Sequence, residues 1–258
     1  MKILDELKLK DKKVIIFDLD GTLIDSIGIW NMTDQKLIQD YSGKTIDLGK
    51  IQEDRDNFLN NNPSSDIYVA YCEYLINKYG LSINDSNELS EIRKEVSNAV
   101  LKTDIGFKKD VVKLIMKLKD LGFTLVLATV TTASQLEIYY KENQKMLKEM
   151  NIKNTFDLIT TKESVNNKKP DPEVYNTIMK YYNVDPRQCL IFEDSYTGVL
   201  AANRADIEVV NIYDKYSDNL REAIDSITTY KISNYQEFID KCVEKLEKEE
   251  EQARYLNL

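Results

Sequence analysis

The chain has 258 residues, with 35 lysines and arginines against 44 aspartates and glutamates, a formal net charge of −9. That balance argues against a protein held on nucleic acid through phosphate contacts and against general adsorption to anionic membranes. There is no histidine, which excludes Ser-His-Asp and Cys-His hydrolases, His-ligated zinc and histidine general bases.

Any chemistry must therefore rest on carboxylates, lysine, hydroxyls or a cofactor. Cys72, Cys189 and Cys242 are far apart and odd in number, so they make neither a CxxC motif nor a disulfide framework. No stretch approaches the roughly 18 apolar residues of a membrane span. Residues 1–13 read as a charged amphipathic segment rather than a signal peptide. The expectation is a soluble, cytoplasmic protein with reduced thiols.

The first apolar run, Val14-Ile15-Ile16-Phe17, is short, unbroken and rich in β-branched residues, as suits a strand buried on both faces of a parallel sheet. Residues 28–104 hold no convincing buried strand. They hold helical stretches at 68–79 and 88–101, punctuated by Asn and Asp clusters such as Asn60-Asn61-Asn62-Pro63. This reads as a helical subdomain inserted after the first strand. Val111, Val112, Leu114, Ile115, Leu118 and Leu121 then fall at helical spacing, with Gly122 as the stop. Two further strong strands lie at 124–129 and 189–192, and weaker ones at 156–160, 208–212 and 230–232. The charged run 244–251 reads as a solvated terminal helix.

Strand, helix, strand alternation argues for a doubly wound α/β domain. Ligands in such sheets bind beyond the carboxyl ends of the strands. All three strong strands end in chemically capable residues: Asp18, Thr129 and Glu193-Asp194. After the first strand the chain reads Asp18-Leu19-Asp20-Gly21-Thr22. Two carboxylates two residues apart are an expensive local charge, relieved by a cation or by protonation of one of them. An ordinary Asp-Gly turn is the alternative at this point.

Asp18-Leu19-Asp20-Gly21-Thr22 resembles the first motif of the haloacid dehalogenase-like (HAD) superfamily. Three further motifs follow in the order that family uses. Thr129 ends the second strong strand, Lys169 precedes Pro170, and Glu193-Asp194 follows the apolar run before Ser195-Tyr196-Thr197-Gly198. The resemblance covers residues 10–27 and 106–235. It implies a doubly wound, three-layer α/β/α (Rossmann-like) core with a parallel sheet at 1–27 and 105–258, and an inserted helical cap of C1 type at 28–104. Asp25-Ser26 and Asp104-Ile105-Gly106 are the expected hinges.

The resemblance also implies roles. Asp18 is the nucleophile, forming an aspartyl-phosphate. Asp20 is the acid/base. Thr129, the backbone N–H of Val130, and Lys169 grip the phosphoryl group. Asp18, the Asp20 carbonyl, Asp194 and Glu193, the last directly or through water, form an oxygen shell suited to Mg²⁺. The implied activity is an Mg²⁺-dependent phosphatase of small phosphorylated metabolites of the sugar phosphate or phosphoglycolate type. The alternatives are a β-phosphoglucomutase-like phosphomutase, a phosphonate hydrolase, and a non-enzymatic module that binds phosphometabolites. Asp20 separates the chain from the dehalogenating branch.

Trp30, Lys44, Lys50 and Arg55 are the candidate specificity residues of the cap. Ser42-Gly43-Lys44-Thr45 sits where related caps carry a specificity loop. It is not a Walker loop, since the upstream Gly and preceding strand are missing. Three departures stand out. Trp30 occupies the position of the phosphomutase cap histidine. Phe107-Lys108-Lys109-Asp110 replaces a common Pro-Gly pair. Residues 133–151 are longer and more charged than usual. The sequence leaves the oligomeric state open.

Overall fold

The structure, a computed structural model, describes residues 2–62 and 67–256. Among them, strands β1 (Val14–Phe17), β2 (Thr124–Ala128), β3 (Leu158–Thr160), β4 (Cys189–Glu193), β5 (Glu208–Ile212) and β6 (Tyr230–Ile232) form one sheet in the order β3-β2-β1-β4-β5-β6. Every neighbouring pair is parallel. β1 lies in the middle, with Val14 opposite both Thr124 and Cys189. All four of its residues are buried, which is why its sequence runs apolar without alternation.

Successive strand residues point to opposite faces. Val14 and Ile16 share a core with Val126, Ile191 and Val209, packed against Tyr175 and Ile178 of the helix Glu173–Tyr182 and Val199 and Ala202 of the helix Tyr196–Arg204. On the other face Phe17 stacks on Phe192 at 4.7 Å between centroids, and Phe192 meets Phe238 edge-on at 4.9 Å. The helix Val111–Asp120 turns Val111, Leu114, Ile115 and Leu118 inward, the spacing of a single helical stripe, and packs beside β2. The result is the three-layer, doubly wound α/β arrangement.

The strands expected from sequence are present, with edges moved by a residue or two. Thr129 lies just past β2, and Glu193 closes β4. Phe156 and Asp157 precede β3; the Phe156 ring packs edge-on to Phe17 at 6.1 Å. Gly122 does end its helix, at φ +81, a left-handed turn that favours glycine. The terminal helix Glu244–Leu256 is not wholly solvated, as Leu246 is buried and Glu247 pairs with Lys117 at 2.7 Å.

The chain winds from β1 outward through β2 to β3, then crosses back to lay β4 on the opposite side of β1. That reversal opens a crevice beyond the carboxyl ends of β1 and β4, the place where ligands bind in such sheets.

The chain divides into two compact units: residues up to Asp25 together with those from Gly106 onward, and Ser26–Ile105. The second holds helices α1 (Ile29–Ser42), α2 (Leu48–Asn61), α3 (Ile67–Tyr79) and α4 (Ser86–Thr103) around Leu37, Ile38, Tyr71, Leu75 and Leu89. Asp47 and Asp85 each accept two backbone N–H groups at the starts of α2 and α4. The Asn cluster marks the end of α2, with Asn62 at its C-cap; Pro63 lies outside the described residues. In the first unit the departing and returning segments lie side by side, the Asp25 N–H donating to the Gly106 carbonyl at 3.2 Å. No helix among the described residues is long and apolar enough to cross a membrane.

Candidate active site

The ladder continues past β1, where the Asp18 N–H donates to the Phe192 carbonyl at 3.0 Å and sets the carboxylate at the strand's end. Gly21, at φ +80, then turns the chain back, its N–H donating to the Ile24 carbonyl at 2.9 Å. The Lys169 ammonium reaches across to this point. It donates to Asp18 Oδ1 at 2.7 Å, Glu193 Oε1 at 2.8 Å and the Ala128 carbonyl at 3.0 Å. All three of its protons are used, and its charge lies 5.4 Å from the centre of the Tyr175 ring. The Lys169-Pro170 peptide is cis.

β4 delivers two buried acids with different surroundings. Glu193 is spent on the protein itself: one oxygen takes Lys169, and Oε2 accepts from the N–H of Asp194, the N–H of Ser195 and the Ser195 hydroxyl. Asp194 accepts from the Thr22 hydroxyl at 2.7 Å through Oδ1, while Oδ2 is buried with no hydrogen-bond partner. A buried carboxylate oxygen left unpaired is costly unless something positive meets it. Asp18, Glu193 and Asp194 each offer an oxygen within 4.8 Å of the others. This all-oxygen, acidic set fits a hard divalent cation. Because Glu193 is already engaged, Asp18 and Asp194 are the carboxylates best placed to hold one.

The electrostatics point the same way. Burial pushes the Asp18 carboxyl up to about 8, with Glu193 and Asp20 adding to the rise against the pull of Lys169. Burial, then Glu193 and Asp18, also hold Asp194 well above the usual carboxylate range. Burial alone would lower Lys169, but Asp18 and Glu193 outweigh it and keep the ammonium charged. The three clustered acids thus carry more negative charge than Lys169 offsets, an excess that a cation would meet.

The segment after β2 supplies hydroxyls. The Thr129 N–H donates to the Thr160 carbonyl at 3.1 Å, and its Oγ1 accepts from the Thr131 N–H at 3.0 Å. That leaves the Thr129 hydroxyl proton to be donated elsewhere. Val130 is 45% exposed. Thr131 donates its hydroxyl to Asp20 Oδ2. The structure therefore brings Asp18, Lys169, Glu193 and Asp194 into one bonded group, with Thr129, Val130 and Asp20 tied together beside it through Thr131.

Thr131 was not picked out from sequence, nor were Thr22, Ser195, Asn211 and Gly198 given a role. Asn211 donates to the Glu193 carbonyl at 2.9 Å. A Cβ on Gly198 would lie 1.7 Å from Glu193 Oε1. In a helix interior, alanine for glycine ordinarily adds roughly 0.5–1 kcal/mol. Here Glu193 is pinned on both oxygens and has nowhere to go. Gly198→Ala is therefore expected to cost about 1–3 kcal/mol instead, read by urea unfolding, and to lower activity. A variant as stable and active as the parent would show that Glu193 moves freely.

The four expected specificity residues lie in the helical unit, and each has a local partner. The Trp30 ring lies 4.4 Å from the Arg93 guanidinium, which is buried and paired with Asp34 at 2.7 Å. Lys44 donates to the Tyr79 carbonyl at 2.6 Å, capping α3, and Gly43 beside it ends α1 at φ +70. Lys50 pairs with Glu53 at 2.9 Å and Asp54 at 3.2 Å. Arg55 differs: its Nε is 3.8 Å from Asp56, and its Nη1 is buried without a hydrogen-bond partner.

The haloacid dehalogenase-like hydrolase family matches residues 15–212. The chain is 29% identical over 196 residues to a phosphorylated carbohydrates phosphatase of Thermotoga maritima, covering 76% of this chain and 82% of that one. It is 28% identical over 206 residues to a phosphoglycolate phosphatase of Colwellia psychrerythraea, covering 80% and 86%. Among solved structures, a putative β-phosphoglucomutase from Thermotoga maritima superposes with TM-score 0.65 at 25% identity, over 85% of this chain and 94% of that one. A HAD family hydrolase from Deinococcus radiodurans superposes with TM-score 0.67 at 18% identity, over 90% and 97%. With its carboxylates, lysine and hydroxyls at the β1/β4 crevice and the family match spanning most of its length, the chain belongs to the haloacid dehalogenase-like hydrolase family.

Proposed function

We propose that this hydrolase is an Mg²⁺-dependent phosphatase of small phosphorylated metabolites that works through an aspartyl-phosphate on Asp18. The observation that carries this reading is that the Asp18 carboxylate, which accepts from the Lys169 ammonium, clusters with Glu193 and with Asp194, whose Oδ2 is buried and unpaired. A nucleophile, a positive charge and an unpaired acidic oxygen suited to a cation converge there.

Asp18 and Asp194, with the Asp20 backbone carbonyl, would hold Mg²⁺, and Glu193 would keep Lys169 and the start of the following helix in position. A cation held there would supply the charge that offsets the acids and polarises the phosphoryl oxygens. Asp18 attacks phosphorus, and the bond to the leaving oxygen breaks as Asp20 gives that oxygen its proton. Asp20 then takes a proton from water, which attacks phosphorus and releases Asp18. The Thr129 hydroxyl and the Val130 N–H meet the phosphoryl oxygens, and Lys169, held by Asp18 and Glu193, keeps its positive charge over Asp18 and the transferring group.

The substrate class follows the relatives, whose names specify phosphorylated carbohydrates and phosphoglycolate. Residues 28–104 are read as a cap that selects the leaving group. Within it, the unpartnered Nη1 makes Arg55 the strongest candidate for contact with an anionic substrate. The likeness to a putative β-phosphoglucomutase supports a second reading as a phosphomutase. Against it, Trp30 stands at the cap histidine position and stacks on Arg93.

A phosphate-release screen over glucose 6-phosphate, β-glucose 1-phosphate, phosphoglycolate and p-nitrophenyl phosphate, with Mg²⁺, separates the two. Steady release from a sugar phosphate or phosphoglycolate is expected. Conversion of β-glucose 1-phosphate to glucose 6-phosphate without net release would establish the mutase instead.

A further inference from the structure

We propose that Thr131 is a positioning residue for the acid/base, so that the segment gripping the phosphate also aims Asp20. This rests on the phosphatase reading above and assigns a residue that the motif positions do not include. Thr131 is fixed at three atoms. Its N–H donates to Thr129 Oγ1 at 3.0 Å, its carbonyl accepts from the Lys162 N–H at 3.0 Å, and its hydroxyl donates to Asp20 Oδ2. The backbone is thus pinned from β2 on one side and from just beyond β3 on the other. The side chain carries that rigidity to a residue 111 positions earlier in the chain.

Asp20 needs such support. It sits in the turn made by Gly21, where the chain reverses after β1, and its carboxylate must serve one oxygen of the leaving group and later one water. A carboxylate free to rotate would lose alignment between these transfers, and loss of alignment costs rate without costing binding. The same segment holds Thr129, so seating the phosphoryl group on Thr129 and aiming Asp20 are one event.

The test compares Thr131→Val, which keeps shape and the N–H to Thr129 but lacks the hydroxyl, with Thr131→Ser, which retains it. Each is assayed with saturating Mg²⁺ on p-nitrophenyl phosphate, whose leaving group needs little protonation. Each is also assayed on the best alkyl monoester among glucose 6-phosphate, β-glucose 1-phosphate and phosphoglycolate. Thr131→Val is expected to lower kcat/KM, which reports the half-reaction in which the leaving group departs, about 10–100-fold on the alkyl ester and less than about 3-fold on p-nitrophenyl phosphate. Thr131→Ser should recover the alkyl activity to within about 3-fold of the parent.

Asp20→Asn, run in parallel, separates the failures. If Asp20→Asn spares the alkyl ester, the acid/base reading falls. If Asp20→Asn shows the leaving-group split but Thr131→Val harms both substrates equally or neither, or Thr131→Ser is as impaired as Thr131→Val, the positioning role is overturned and Asp20 keeps its own.

Discussion

Asp18→Asn is expected to lower turnover by at least about 10⁴-fold, on the order of 5 kcal/mol of transition-state stabilisation. The substitution keeps the side chain's size and its place at the end of β1, but an amide does not attack phosphorus. It also removes one of the two carboxylates suited to a cation and one of the two acids that share Lys169. The fold should survive, because burial and the neighbouring acids already disfavour the Asp18 charge, and Lys169 keeps Glu193 and the Ala128 carbonyl. Acid-quenched parent enzyme should retain labelled phosphate that hydroxylamine releases, the mark of an acyl phosphate, and the variant should retain none. Turnover near the parent's in a folded, Mg²⁺-saturated variant would rule out the covalent route.

Much of this site was readable from the chain because of where the sheet places it. β1, β2 and β4 are buried on both faces, so their sequences are unbroken apolar runs, and whatever polar residue follows each must lie at the sheet's carboxyl edge. That located Asp18, Thr129, Glu193 and Asp194 before any contact was known. β3 and β5 were fainter for physical reasons. β3 has three residues and is partly exposed, and Glu208 opens β5 with a charge that is satisfied by Lys2 and Lys12 from the start of the chain and by the Tyr230 hydroxyl.

The partners were harder to see than the principals. Thr131, Thr22 and Asn211 are ordinary polar residues until strand order brings them to Asp20, Asp194 and the Glu193 carbonyl, and Thr22 meets Asp194 across 172 positions. Gly198 reads as a weak helix residue until the Glu193 carboxylate fills the space beside its Cα. Among the basic candidates of the helical unit, charge does not distinguish Lys44, spent on capping α3, from Arg55, with a buried nitrogen unpaired.

The divalent cation should control both activity and stability, and the second effect should depend on pH. In the unfolded chain the carboxyl of an aspartate titrates near its ordinary 3.8, whereas burial lifts Asp18 to about 8 and holds Asp194 well above its ordinary value too. Between these limits the folded chain binds protons that the unfolded chain has released. By linkage, the metal-free fold loses stability from this group as pH rises from about 4 toward 8. A cation on Asp18 and Asp194 replaces those protons, so Mg²⁺ should raise Tm more at pH 8 than at pH 6, and its binding should release protons. At a concentration about 100-fold above Kd the stabilisation is about 2.7 kcal/mol, or roughly 5–10 °C for a chain of this size. EDTA should abolish turnover and Mg²⁺ restore it. Ca²⁺ should compete and inhibit, because its looser shell of about 6–8 oxygens can engage both oxygens of Asp18 and hold the nucleophile back. Asp194→Asn should weaken Mg²⁺ activation and shrink the pH-dependent gain in Tm together. Full turnover in EDTA, or a Tm unmoved by Mg²⁺ at pH 8, would show that the unpaired oxygen of Asp194 meets something other than a divalent cation.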